Sequence, residues 1–222
     1  MKRLVPVLIG LSALLTACPQ PTPPEPGVDP TTLNFALTGT ASTAANTQAV
    51  PLTTYWGQTP LTVGTLSADK KVNVTLTPAL YDTKPEQTLQ TWKDGITDCE
   101  TSNFYIEKNT SYVAFTNFYY EKGETQDRFM RAGTVTNNND GTQTVQYHTF
   151  WYTKTEGKAS GSVTCQTQLT TYELTLKPGW NVMTTTFVRN PSTQTIQGPY
   201  TLKTVPMNNQ LDSKWITYTA TR

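Results

Sequence analysis

Lys71-Val72-Asn73-Val74-Thr75-Leu76-Thr77 alternates polar and apolar residues without interruption. Successive side chains of a strand point to opposite faces, so Val72, Val74 and Leu76 share one face and the polar residues the other, as in a half-buried strand. Leu61-Thr62-Val63-Gly64-Thr65-Leu66 precedes it, and Ser67-Ala68-Asp69-Lys70 supplies the turn of a hairpin. The composition extends this reading to the whole body. Thr makes up about a fifth of the chain, Tyr and Trp are frequent, and Ala, Leu and Glu are scarce in the middle, which suits pleated, half-buried surfaces. The predicted class is all-β, an antiparallel β-sandwich with few helices.

Further strand pairs follow along the chain. Ser102 to Ile106 and Ser111 to Tyr120 flank a polar turn at Lys108-Asn109-Thr110, and Gln126 to Val135 and Thr142 to Tyr152 bracket Asn137-Asn138-Asn139-Asp140-Gly141. Tyr172 to Lys177 alternates before Pro178-Gly179, and Trp180 to Val188 reads as the returning strand. One helix is expected from Thr83-Lys84-Pro85-Glu86 to about Trp92. Thr83 and Glu86 form a capping box, Pro85 sits in the first turn, and Asp94-Gly95 ends it. This helix lies in a joint, 81–95, between a small β unit, 32–80, and a larger one, 96–222; a single β domain of about 200 residues is the alternative.

The N-terminus has a different character. Lys2 and Arg3 precede an apolar run from Leu4 to Leu15, too short for a permanent membrane span and suited to export. Leu15-Thr16-Ala17-Cys18 resembles the lipobox of bacterial lipoproteins, which implies that residues 1–17 are a cleaved signal and that Cys18 is lipidated; the alternative is an ordinary signal peptide. Lipoproteins of this type carry several acyl chains, and two or more hold a protein firmly on a membrane. Residues 18–31 then form a stalk, with six prolines from Pro19 to Pro30 favouring extended geometry and a reach on the order of 40 Å. With Leu174-Thr175-Leu176-Lys177-Pro178-Gly179-Trp180-Asn181 and Gly64-Thr65-Leu66-Ser67-Ala68-Asp69, the chain resembles the uncharacterised envelope lipoproteins of bacteria. That likeness implies a tethered β-rich module, on the cell membrane or the outer membrane, with no catalytic residues to transfer. With Cys18 modified, Cys99 and Cys165 remain as an even pair outside the cytoplasm, and a disulfide is the expected pairing. A metal site or a reactive thiol is the alternative, although no Cys-x-x-Cys or Cys/His cluster accompanies them.

The formal charge of +1 becomes about −1 once the signal is removed, and the sparse charges are mixed in sign. No basic stripe is present for nucleic acid. The one histidine, His148, lies in a strand beside no recognisable nucleophile or acid, and Glu107, Glu121 and Glu173 show no spacing that argues for a glycosidase pair. The 137–141 loop would need Glu where Tyr147 stands to hold calcium as an EF-hand does, so it reads as a tight turn. The sequence therefore predicts no enzyme, no metal and no cofactor.

What remains is aromatic. Twelve aromatic residues fall between Phe104 and Tyr152. In Thr142 to Tyr152, alternation puts Val145, Tyr147 and Trp151 on one face and Phe150 and Tyr152 on the other. One face must be buried, and the second packs against another unit or presents flat, amphipathic rings to a ligand. The candidate contact residues are Phe150 and Tyr152. The predicted role is structural or binding, toward an envelope protein or a glycan, with a carbohydrate-binding module as the alternative and a hydrolase more remote.

Overall fold

A computed structural model describes residues 29–42, 48–56, 59–83, 86–206 and 209–221. The expected signal (1–17), the lipidation at Cys18 and the stalk as far as residue 28 lie outside the described residues. The chain is all-β. Its strands are β1 (Phe35–Ala41), β2 (Val50–Trp56), β3 (Thr59–Leu66), β4 (Lys71–Leu76), β5 (Gln87–Thr88), β6 (Cys99–Glu100), β7 (Phe104–Lys108) and β8 (Ser111–Phe115). They continue as β9 (Phe118–Lys122), β10 (Gln126–Asn137), β11 (Gln143–Thr153), β12 (Gly157–Cys165), β13 (Gln168–Leu176), β14 (Gly179–Arg189), β15 (Ile196–Val205) and β16 (Gln210–Thr221). Among the described residues one helix, α1 (Leu89–Asp94), and two 3-10 segments, Pro30–Thr32 and Pro78–Thr83, accompany them.

In place of the expected sandwich, seven strands close into a barrel in the order β16-β1-β4-β3-β2-β9-β10, with β10 pairing back to β16. The barrel draws strands from both the 32–80 and the 96–222 segments. Closure depends on a parallel pair between the first and last strands, β1 and β16, in which Gly39 lies level with Ser213. There the backbones approach so closely that a Cβ on Gly39 would lie 1.7 Å from the Ser213 carbonyl oxygen and 3.0 Å from the Trp215 ring. Trp215 is wholly buried, and its indole N–H donates to the Thr38 carbonyl at 3.0 Å. The Val72, Val74 and Leu76 face predicted from alternation points into this core with Phe35, Leu37, Leu66 and Met130.

The remaining strands extend from the barrel wall. β10 pairs with β16 over residues 126–132 and with β11 over residues 133–137, so one strand serves both regions. The sheet continues β11-β14-β15-β13-β12-β6, with β7 also on β12, β8 on β11 and β5 on β8. Its curved face encloses a second core of Phe104, Tyr112, Trp151, Tyr172, Leu174 and Met183, covered by Leu89 and Trp92 of α1.

Several local expectations change. Ser111 to Tyr120 is two strands: β8 joins β11, whereas β9 joins the barrel. The segments around 172–177 and 180–188 are strands but do not form a hairpin, because β15 lies between them, parallel to β13 and antiparallel to β14. At their corner the Asn181 amide accepts from the Lys177 N–H at 2.9 Å and donates to its carbonyl at 2.7 Å. A side chain thus satisfies the backbone that a hairpin ladder would otherwise bond, and each strand is free to pair elsewhere. The helix starts at Leu89 because β5 holds Gln87 and Thr88 extended against β8. Its capping box is Thr88 with Thr91, at 2.9 and 2.8 Å, instead of Thr83 with Glu86.

Cys99 stands opposite Cys165 on β6 and β12, and the two are joined by a disulfide, as expected. It closes a loop of 66 residues and pins a two-residue edge strand, which on the chain-entropy model stabilises the fold by about 4 kcal/mol. Barrel closure is testable at Trp215. Trp215→Phe keeps an aromatic ring but removes the bond to the Thr38 carbonyl and is expected to cost about 1–2 kcal/mol in urea unfolding, and Trp215→Ala about 3–5 kcal/mol. An Ala variant as stable as wild type would show that closure does not rest on this residue.

Candidate functional site

The residues singled out from the sequence fall on the two faces of β11. Phe150 and Tyr152, expected to present a ligand surface, are buried at 1% and 3% exposure in the barrel-side core. Phe150 packs against Phe35 and Phe118 at ring separations of 5.8 and 6.0 Å, and Tyr152 against Tyr81 and Trp180 at 5.3 and 5.2 Å. The Tyr152 hydroxyl donates to the Thr31 carbonyl at 2.5 Å. The face is covered because the chain's own β1 and the Pro30–Thr32 segment lie on it. Asp29 caps that segment, accepting from the Thr31 amide at 2.9 Å, and Pro30 closes on Gly179, where a Cβ would lie 2.5 Å from the Pro30 carbonyl oxygen. Phe150 and Tyr152 therefore seat the start of the folded chain.

His148 lies on the same face. Its Nδ1 is 2.9 Å from the Thr184 hydroxyl, and burial lowers its pKa. No carboxylate shares that contact, and among the described residues no group of three His, Cys, Asp or Glu side chains gathers as a metal site. Glu107, Glu121 and Glu173 are each engaged with a separate exposed cation, Lys158, Arg128 and Lys203 respectively. The 137–141 loop is a turn in which the Asp140 carboxylate accepts from the Thr142 amide and hydroxyl at 3.0 and 2.6 Å.

The opposite face of β11 is different. Tyr147, Thr149 and Trp151 line a groove of about 340 Å³ with Tyr112 and Ala114 of β8, Thr116 just after it, Trp92 of α1, Gln87 and Arg131. Its floor is the pair Tyr112 and Trp151, stacked at 4.0 Å and 5°. Both are nearly buried, and burial pushes the Tyr112 phenol up; its hydroxyl donates to Gln87 at 3.2 Å. The walls are half-buried. On one side Trp92 stands edge-on to Trp151, Phe104 and Tyr172 at 6.5, 5.5 and 5.2 Å. On the other, Tyr147 lies beside Arg131, whose guanidinium carbon is 5.2 Å from the Tyr147 ring centre.

Arg131 reaches the groove because β10 crosses from the barrel to β11. Residues 129, 131 and 133 share a face, and Gly133 lies opposite Tyr147. Alternation put Tyr147 and Trp151 together in advance. Trp92, Tyr112 and Arg131 carried no such signal, since helix packing and the β8 and β10 registers bring them in.

A second cleft, of about 450 Å³, lies beside Lys177, Trp180 and Thr204, and the buried Trp180 Nε1 has no hydrogen-bond partner among the described residues. Its rim at Pro206 adjoins residues 207–208, outside the described residues. No family model, curated protein or solved structure matches the chain.

Two outcomes follow from these placements. Phe150→Ala is expected to lower unfolding free energy by about 3–5 kcal/mol and Tyr152→Phe by about 1 kcal/mol, measured in urea; unchanged stability in Phe150→Ala would return that residue to the surface. His148 is held neutral by burial, so the unfolded chain binds the proton more readily. Stability should be full above pH 6.5 and fall as the pH drops below it, and His148→Gln should lose this part of the pH dependence in urea titrations at pH 5.5 to 7.5.

Proposed function

We propose that this chain is an exported, lipid-anchored protein of the bacterial envelope whose β-rich body binds a glycan in the Trp92–Tyr147 groove and performs no chemistry on it. The observation that carries this reading is the composition of the groove. Half-buried aromatic walls offer flat apolar surfaces to sugar rings, while Gln87, Thr116, Thr149 and Thr185 supply polar groups suited to hydroxyls. Among the described residues no carboxylate lines it, whereas glycoside cleavage ordinarily needs a pair of carboxylates flanking the bond.

The N-terminal motif supports the location. A Leu-Thr-Ala-Cys sequence at 15–18 and a Pro-rich stretch precede a body whose first residues are seated on the Phe150 and Tyr152 face. The groove occupies the other face of the same strand, so a stalk attached at Asp29 would leave the groove free of its own anchor. A disulfide also suits an exported protein.

Two measurements test this. Mass spectrometry of protein extracted from the native membrane should find residues 1–17 absent and acyl chains on Cys18; an unmodified Cys18 in a freely soluble product would remove the anchor. Detergent-solubilised full-length protein should retain soluble envelope polysaccharide in affinity electrophoresis. Trp92→Ala and Tyr147→Ala should each weaken retention about tenfold without gross unfolding. Retention unaffected by both substitutions would remove the groove from function.

A further inference from the structure

We infer that the saccharide taken by this groove carries a carboxylate, and that Arg131 is the residue that recognises it; the inference rests on the glycan reading above. Among the described residues Arg131 is the one charged side chain lining the groove. Lys71, Lys108, Arg128, Lys154, Lys158 and Lys203 each pair with a carboxylate; the half-buried Arg131 and Arg189 pair with none among the described residues, and of these two Arg131 lines the groove. A partly desolvated cation without a counter-ion lacks the compensation that an anion would give.

Its surroundings position it without neutralising it. The guanidinium carbon lies 5.6, 5.2 and 5.5 Å from the ring centres of Phe129, Tyr147 and Tyr218, and Nε donates to Asn117 Oδ1 at 2.6 Å. Ring contacts attract the guanidinium and leave its charge in place. Among the described residues Nε is the guanidinium nitrogen with a hydrogen-bond partner, and a guanidinium's two terminal nitrogens have the forked geometry that fits the two oxygens of a carboxylate. Tyr147, which touches Arg131, is also a groove wall, so an acidic sugar ring lying against Tyr147 would bring its carboxylate within reach of the fork. A uronic acid and a sugar with a carboxylic ether substituent present this same chemistry.

The test uses detergent-solubilised full-length protein and calorimetric titration with oligogalacturonate, its fully methyl-esterified form and a sulfated oligosaccharide of equal length that carries no carboxylate. Wild type should bind the acid about tenfold more tightly than the ester, and added salt should narrow the gap. Arg131→Gln should abolish the preference by weakening the acid about tenfold more than the ester, and Arg131→Lys should restore little of it because the fork is lost. Equal wild-type affinity for acid and ester, preference for the sulfated probe, or equal weakening of acid and ester in Arg131→Gln would overturn the inference and leave the glycan reading standing. Binding of no probe and no envelope polysaccharide would sink both. Should Arg131→Gln not fold, Arg131→Lys decides: a retained acid preference with unchanged magnitude overturns the role given to the fork.

Discussion

β11 is buried from both sides, and the arrangement of the chain depends on it. Between residues 149 and 153 it gives Phe150 and Tyr152 to one core and Trp151 to the other, each under a tenth exposed. Fully burying one large apolar side chain is worth about 1.5–3 kcal/mol, so a slip of one residue would exchange the contents of both cores at once. Its partners reinforce this register: β14 pairs with it along its whole length, and β10 and β8 divide its other edge. A barrel and a curled extension thereby share one continuous wall.

The same division separates the surfaces that bear on function. The barrel-side face of β11 receives the beginning of the folded chain, and the other carries the groove. A strand with only one buried face would have had to crowd both onto the remaining side. Here the Pro30–Thr32 segment and the proposed glycan site are kept apart by the thickness of the sheet. Arg131 belongs to this arrangement because β10 passes from barrel to extension without changing which face residues 129, 131 and 133 occupy.

Sequence made the local structure legible and the long-range pairing much less so. Alternation located most strands, and the hairpin at 61–76 and the turn at 137–141 have local causes, so they read correctly. The sequence also sorted Phe150 and Tyr152 from Tyr147 and Trp151. Which face would be covered depended on β1, Pro30–Thr32 and Tyr81, more than seventy residues away along the chain, and no periodicity reports that. The supposed hairpin at 172–188 failed for a related reason: β15, later in sequence, takes the position between its strands. The disulfide was legible by counting cysteines, since its partners are set by what remains after Cys18 is assigned.

The Thr31 seat on Tyr152 has a mechanical consequence. A pull on the N-terminal segment enters the body through a hydrogen bond and a tight Pro30–Gly179 contact before reaching β1. β1 is flanked by β4 on one edge and β16 on the other, so tension along it loads two ladders in shear instead of peeling an edge strand bond by bond. The chain thus meets such a force first at a strand hemmed on both sides.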